Sequence, residues 1–84
     1  MHLHNLGPNQ TEITTGNRSV LYSYDTPVVV QVHGIGYFRT GTRYSVTTSR
    51  HIKAYIDGRN FTTVTQDQID RFADGGKITV TAQK

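Results

Sequence analysis

Basic side chains in the middle of this 84-residue chain are the residues whose types and spacing best suit chemistry with another molecule. Arg39 and Arg43 stand on either side of a glycine at which the chain is expected to turn. Arg50 and Lys53 are three residues apart, about one helical turn, and Arg59 lies just past the end of the helix predicted there. Side chains placed in this way can converge on one side of a small domain and attract phosphates or carboxylates.

Tyrosines alternate along the predicted strands close to these cations. A tyrosine that faces outward beside an arginine can stack on a nucleic-acid base or anchor a protein partner. The same residues are also compatible with tyrosines half-buried on a sheet and arginines that are only solvated. The first interpretation predicts a partner-binding surface formed by Arg39, Arg43, Arg50, Lys53, Arg59, Tyr37 and Tyr44.

The residues that catalysis would require do not form a recognisable arrangement. His33 and His51 are the histidines within the ordered part of the predicted domain, and neither lies in a nucleophile motif. Ser49 is close to His51 in sequence, but it is expected to cap a helix, and adjacent helical residues point in different directions. Three of the six acidic residues fall on or beside one short predicted helix, where capping or solvation explains them. We therefore predict no catalytic residues and no enzymatic activity.

Metal and cofactor sites are not expected either. The chain has no cysteine, which excludes thiolate metal sites, cysteine nucleophiles and redox switching. His2 and His4 have the spacing of a ligand pair but no third ligand nearby. Gly34 and Gly36 lack the surrounding pattern of a phosphate loop and are expected to form a hairpin turn.

Size and charge set further limits. The 84 residues, 35% of them hydrophobic, suffice for one core and leave little volume for a deep cleft. The net charge of +3 gives a modest attraction to phosphates or acidic surfaces and is also compatible with a role in solubility alone. The N-terminal residues lack the basic and apolar regions of an export signal, and no apolar run approaches the roughly 20 residues of a membrane span. We therefore expect a cytoplasmic protein that is neither exported nor embedded in a membrane.

The pattern along the chain predicts a single α+β domain over 11–84, preceded by a flexible N-terminal arm over 1–10. The expected fold is a small, mostly antiparallel sheet of about five to seven short strands, with two short helices in the C-terminal half. Threonine, valine and tyrosine are abundant up to residue 47, and turn residues divide this part into strands. The predicted strands are 12–15, 18–24, 28–32, 37–40, 43–47, 61–64 and 77–82.

Two of these strand predictions are specific. Gly16-Asn17 is a two-residue connection suited to a tight hairpin. The strand 28–32 is the most apolar stretch of the chain and should lie inside the sheet. Its predicted faces are Val28, Val30 and Val32 on one side and Val29 on the other.

Helix signals follow in the second half of the chain. The hydroxyl residues 47–49 are expected to cap a first helix over about 49–57, which ends at Gly58. The run Thr65-Gln66-Asp67-Gln68 has the form of a capping box and predicts the start of a second helix. The apolar stripe of that helix is Ile69, Phe72 and Ala73.

Two motifs give the chain a family resemblance. They are Tyr22-Ser23-Tyr24-Asp25-Thr26-Pro27-Val28 and Tyr44-Ser45-Val46-Thr47-Thr48-Ser49-Arg50-His51. Over roughly 20–56 the chain resembles small uncharacterised proteins encoded by tailed bacteriophages and prophages, and the resemblance carries no catalytic residues with it. By analogy, it implies a phage protein that inhibits or modulates a host protein or defence complex, as anti-CRISPR proteins do.

Other functions are compatible with the same residues. In a small nucleic-acid-binding module, the cations would track phosphates and exposed tyrosines would stack on unpaired bases. A structural component of a virion would self-associate through a strand edge or an apolar sheet face. A small ligand could also be held at an interface between subunits. The leading hypothesis predicts a host protein or nucleoprotein complex as the partner, with nucleic acid as the alternative and no membrane.

Overall fold

Six strands form one sheet within residues 2–75, the part of the chain that the computed structural model describes. The elements are β1 (His2–Gly7), β2 (Gln10–Thr15), β3 (Arg18–Ser23), β4 (Thr26–Val32), β5 (Gly36–Thr40), α1 (Val46–Ile56), β6 (Phe61–Val64) and α2 (Gln66–Ala73). The strands follow one another in the sheet in chain order, antiparallel throughout except for the parallel pair β5 and β6. The predicted α+β class, with a mostly antiparallel sheet and two helices in the C-terminal half, is confirmed.

The two helices cover opposite faces of the sheet. α1 packs against Leu21, Val28 and Val29 on one face. α2 packs on the other face against a cluster that includes Val30 and Phe38. Because both faces are covered, the valines of β4 are fully buried, and β4 is the inner apolar strand that the sequence predicted.

The predicted face of Val28 is wrong, because this residue packs towards α1 beside Leu21 and Val29. The register between β3 and β4 shifts after Leu21, so that Tyr22 lies opposite Pro27 and Val28 is the extra residue of a bulge. A bulge interrupts the two-residue alternation of side chains along a strand, and the alternation was the basis of the prediction.

An edge strand, β1, takes the place of most of the flexible arm predicted over 1–10. β1 pairs with β2, and Leu3 lies opposite Ile13. The turn residues at 8–9 connect the two strands, with Asn9 at a φ of 62°. The sequence signal of this strand is weak because main-chain pairing holds it in place while the side chain of Leu3 stays 66% exposed.

The remaining strand predictions have mixed outcomes. The hairpin at Gly16-Asn17 is confirmed, since β2 and β3 pair up to the residues on either side of it. The strands predicted over 37–40 and 61–64 are also present. The strand predicted over 77–82 lies outside the described residues, and the one predicted over 43–47 does not form.

The first helix begins earlier than predicted, which explains the missing strand. α1 starts at Val46, and the hydroxyl of Ser45 accepts a hydrogen bond from the backbone N–H of Thr48 at 3.1 Å. Several consecutive residues here carry a hydroxyl that can cap a helix. Ser45 is the one that has an extended backbone, with φ −106° and ψ 167°, as an N-cap requires. The predicted cap at 47–49 is therefore inside the helix.

The other helix boundaries follow their sequence signals more closely. α1 ends in two left-handed residues, Asp57 and Gly58, of which the glycine was predicted. α2 begins with the predicted capping box. The Thr65 hydroxyl accepts from the Gln68 N–H, and the Gln68 side-chain oxygen accepts from the Thr65 N–H, both at 3.2 Å.

A hydrogen bond between Tyr55 and Glu12 ties α1 to β2. Tyr55 is half-buried, its hydroxyl donates to the Glu12 carboxylate, and its ring meets that of Tyr37 edge-on with centroids 6.1 Å apart. Burial first, and then the hydrogen bond to Glu12, raise the pKa of Tyr55 well above the ordinary tyrosine value. The folded state therefore favours the neutral phenol.

We expect Tyr55→Phe to lower the free energy of unfolding by about 1–2 kcal/mol at neutral pH, because Glu12 loses its donor. Since the pKa is raised by folding, the stability that Tyr55 contributes is complete below about pH 10 and is lost as the pH rises further. Urea denaturation at neutral pH and at about pH 11 should show the variant losing less stability in alkali than the wild type. Tyr24→Phe, at an exposed position, is the control. Equal alkaline losses in wild type and Tyr55→Phe would contradict this assignment.

Candidate binding groove

A concave surface lies between α1 and the β5–β6 end of the sheet. Its volume is about 960 Å³, and the described residues that line it include four cations and no acidic side chain. Phe61 lines the same surface. We call this surface the basic groove and define it by Arg39, Arg43, Lys53, Arg59 and Phe61.

The chain connection from β5 through α1 to β6 supplies every cation of the basic groove. Arg39 lies on β5, Arg43 in the segment before α1, Lys53 on α1 and Arg59 just before β6. The connection leaves the sheet close to β6, where the N–H of Gly41 donates to the Val64 carbonyl at 2.8 Å. A Cβ at position 41 would come within 3.1 Å of a side-chain carbon of β6, so a glycine allows this close approach.

Two arginines of the basic groove rest on aromatic rings. The guanidinium carbon of Arg39 is 5.7 Å from the centroid of Phe61, and that of Arg59 is 5.7 Å from the centroid of Tyr37. Tyr37 and Phe61 are neighbours across the parallel strands. These four side chains form what we call the arginine–aromatic row.

Backbone hydrogen bonds orient both arginines of the row. Arg39 donates from Nε to the Thr40 carbonyl at 3.2 Å, and Arg59 donates from Nη1 to the Ile56 carbonyl at 3.4 Å. A guanidinium has five N–H donors in a planar fork, so one backbone contact leaves most of the donors available to a ligand. The two groups are therefore held in place before any ligand arrives.

The cations of the basic groove have no acidic partner within residues 2–75. The ion pair in this part of the chain joins Arg71 and Asp67 of α2, at 3.0 Å, and both side chains are highly exposed. Four like charges along one groove repel one another and create a positive potential. This arrangement does little for folding and is suited to holding an anion.

Five of the seven predicted partner-binding residues meet at the basic groove or directly beneath it: Arg39, Arg43, Lys53, Arg59 and Tyr37. The structure places the other two elsewhere. Arg50 is exposed on α1 but does not line the groove. Tyr44 donates its hydroxyl to the Gln66 side chain at 2.7 Å and also lies outside the groove. A role of these seven residues in binding stays a prediction, and the groove itself involves only the five that meet there.

Phe61 is the groove residue that sequence reasoning missed. The sequence placed it at the start of a strand, and alternation along Phe61–Val64 puts it on the opposite face from the buried Val64. That signal was available, but it does not reveal which strand lies beside Phe61. The parallel pairing that sets it next to Tyr37 joins residues far apart in sequence.

A chain of buried polar side chains fixes the start of α1 on β3. His51 Nδ1 lies 2.8 Å from the Ser23 hydroxyl, which lies 2.9 Å from the hydroxyl of Thr48. All three side chains are at least nine-tenths buried, and Ser23 is only 2% exposed. Ser49, which stands next to this cluster in sequence, lines the basic groove. The sequence did not predict this cluster, because its members come from different elements.

Residues 2–75 contain no group of three or more side chains that could together hold a metal ion. In the same part of the chain, neither helix combines the length and apolar character that crossing a membrane would take.

The fold and the groove define a small α+β domain with a concave basic surface. A family of unknown function, DUF8033, matches residues 1–71, and the chain therefore belongs to this family. Comparisons with curated proteins and with solved structures give no match. The matched residues include every side chain of the basic groove.

We expect His51→Ala to lower the free energy of unfolding by about 1–3 kcal/mol, because it leaves the buried hydroxyl of Ser23 with one partner fewer. The neighbouring variant Arg50→Ala, at an exposed position, should change it by no more than about 0.5 kcal/mol. Chemical denaturation of the two variants and the wild type measures both effects. Similar values for the two variants would show that the buried polar chain does not anchor α1.

Proposed function

We propose that the protein is a non-enzymatic binding protein that inhibits or modulates a host protein or nucleoprotein complex by docking its basic groove on an acidic surface of that partner. The observation that carries this proposal is the convergence of Arg39, Arg43, Lys53 and Arg59 on one concave surface, with no acidic side chain among its described lining residues. A surface of this kind attracts and orients a negatively charged partner.

The distribution of charge supports a dedicated surface. The basic groove carries four positive charges, whereas the whole chain has a net charge of +3. The rest of the chain therefore has a net charge of −1, the difference between these two values. Solubility alone would be served as well by charges spread over the surface. The concentration of four positive charges at one groove therefore favours a role in binding.

The size of the domain and its resemblance to phage-encoded proteins support the remainder of the proposal. A domain of 84 residues has little interior volume and acts through its surface. Small phage proteins without catalytic residues often act by occupying part of a host machine, in the cytoplasm of the infected cell. The resemblance supports this reading as an analogy.

Capture of the partner from host-cell lysate, followed by quantitative mass spectrometry, tests the proposal. The double variant Arg39→Ala with Arg43→Ala should reduce capture of the partner about tenfold, because two groove charges are lost. Arg71→Ala removes the same kind of charge from α2 and is the matched control.

A second contrast lies within α1. Lys53 lines the basic groove and Arg50, one turn earlier, does not. Lys53→Ala should therefore weaken capture, and Arg50→Ala should leave it close to wild type. Full capture by every groove variant, with folding verified by circular dichroism, would refute the proposed function.

A further inference from the structure

The charge and the side-chain composition of the basic groove bear on the chemistry of its ligand. Interfaces between proteins have an apolar core, whereas interfaces with nucleic acids are more polar and much more positively charged. Of the large hydrophobic side chains that are exposed among the described residues, Phe61 is the one that lines the groove. Ile56 also lines it but is only 4% exposed. The positive charge of the groove and its single exposed aromatic ring therefore match a nucleic-acid interface more closely than the apolar core of an interface between proteins.

The exposed ring of Phe61 offers a stacking surface inside a field of positive charge. It is 50% exposed on β6, the last strand of the sheet within residues 2–75, and the Arg39 guanidinium lies over it. Nucleic-acid bases stack on aromatic rings and on guanidinium planes. The arginine–aromatic row therefore provides both of the surfaces on which an unpaired base can stack.

Neutral donors lie between the cations of the groove. Thr42, Ser49 and Asn60 line it, and hydroxyl and amide groups of this kind bind phosphate and sugar oxygens. Such contacts position a strand without reading its bases. A ligand that carries phosphates at regular intervals would satisfy the cations and these donors together.

We infer that the ligand of the basic groove is a single strand of nucleic acid, with its phosphates on the four cations and one base stacked on Phe61. A duplex fits less well because its bases are already paired and stacked and do not offer their faces to an aromatic ring. This inference rests on the proposed function and names the part of the partner complex that the groove contacts.

Fluorescence anisotropy with labelled probes tests the inference on the purified protein. The probes are oligo-dT and oligo-U of about 12 nucleotides, a DNA duplex of the same length, and a polyglutamate peptide of similar charge. We expect both single strands to bind more tightly than the duplex and the peptide. The logarithm of their affinity should fall with the logarithm of the salt concentration with a slope of about −3, as four phosphate contacts predict.

Substitutions separate the contribution of stacking from that of charge. Phe61→Ala should weaken binding of the single strands about tenfold, whereas Phe61→Trp, which retains a stacking ring, should bind about as well as the wild type. Lys53→Ala should make the salt slope shallower by about 0.7, and Arg71→Ala should leave it unchanged. Circular dichroism of each variant verifies its fold. Retained binding by Phe61→Trp would show that the loss in Phe61→Ala comes from the missing ring and not from unfolding.

Several outcomes would overturn the inference. These are no binding of either single strand at low salt, equal binding of the duplex with no effect of Phe61→Ala, or tighter binding of polyglutamate. In each case, groove-dependent capture of a partner that survives nuclease would leave the proposed function standing. Undiminished capture by the groove variants would refute the proposed function itself, so the two failures are distinguishable.

Discussion

The parallel pairing of β5 with β6 is the constraint on which the rest of the structure depends. Parallel neighbours cannot be joined by a tight turn, so the chain must cross over the sheet between them. That crossover contains α1, and it places the helix on the face of the sheet opposite to α2. The basic groove is the space between the crossover and the two strands that it connects. Every cation of the groove belongs to this connection or to its first strand.

The depth of the groove depends on how firmly α1 is held. Ile52 and Ile56 pack against Val28 and Val29 of β4. The polar chain of Ser23, Thr48 and His51 joins the first turns of α1 to β3. Tyr55 adds a third attachment, to β2. These contacts point towards the sheet and leave the side of α1 that bears Lys53 free to form a wall of the groove.

Signals formed by a few adjacent residues correctly predicted two features of the fold. The capping box at 65–68 and the hairpin at Gly16-Asn17 each depend on a few adjacent residues, and both are present. Two of the predictions that failed had distant causes. The face of Val28 is set by a bulge opposite β3, and β1 forms because β2 offers it a pairing edge.

The same distinction applies to the candidate site. Spacing along the chain was enough to propose that cations on the turn and on the helix converge, and four of the five do so. Arg50 does not, because it directly follows Ser49, which lines the groove, and successive positions on a helix point in directions that differ by about 100°. The position of Phe61 in the groove could not be predicted, because it depends on the register of the parallel strands β5 and β6. No short stretch of sequence determines that register.

The unpaired cations of the groove also set a conflict between stability and function. Their mutual repulsion is present in the free protein, and no carboxylate within residues 2–75 forms an ion pair with any of them. Selection for a more stable fold alone would replace one of them with a neutral or acidic residue. If the groove binds an anion as proposed, the anion removes this repulsion, and occupancy of the groove then raises the melting temperature of the domain. On that proposal, the free protein is the less stable of its two states.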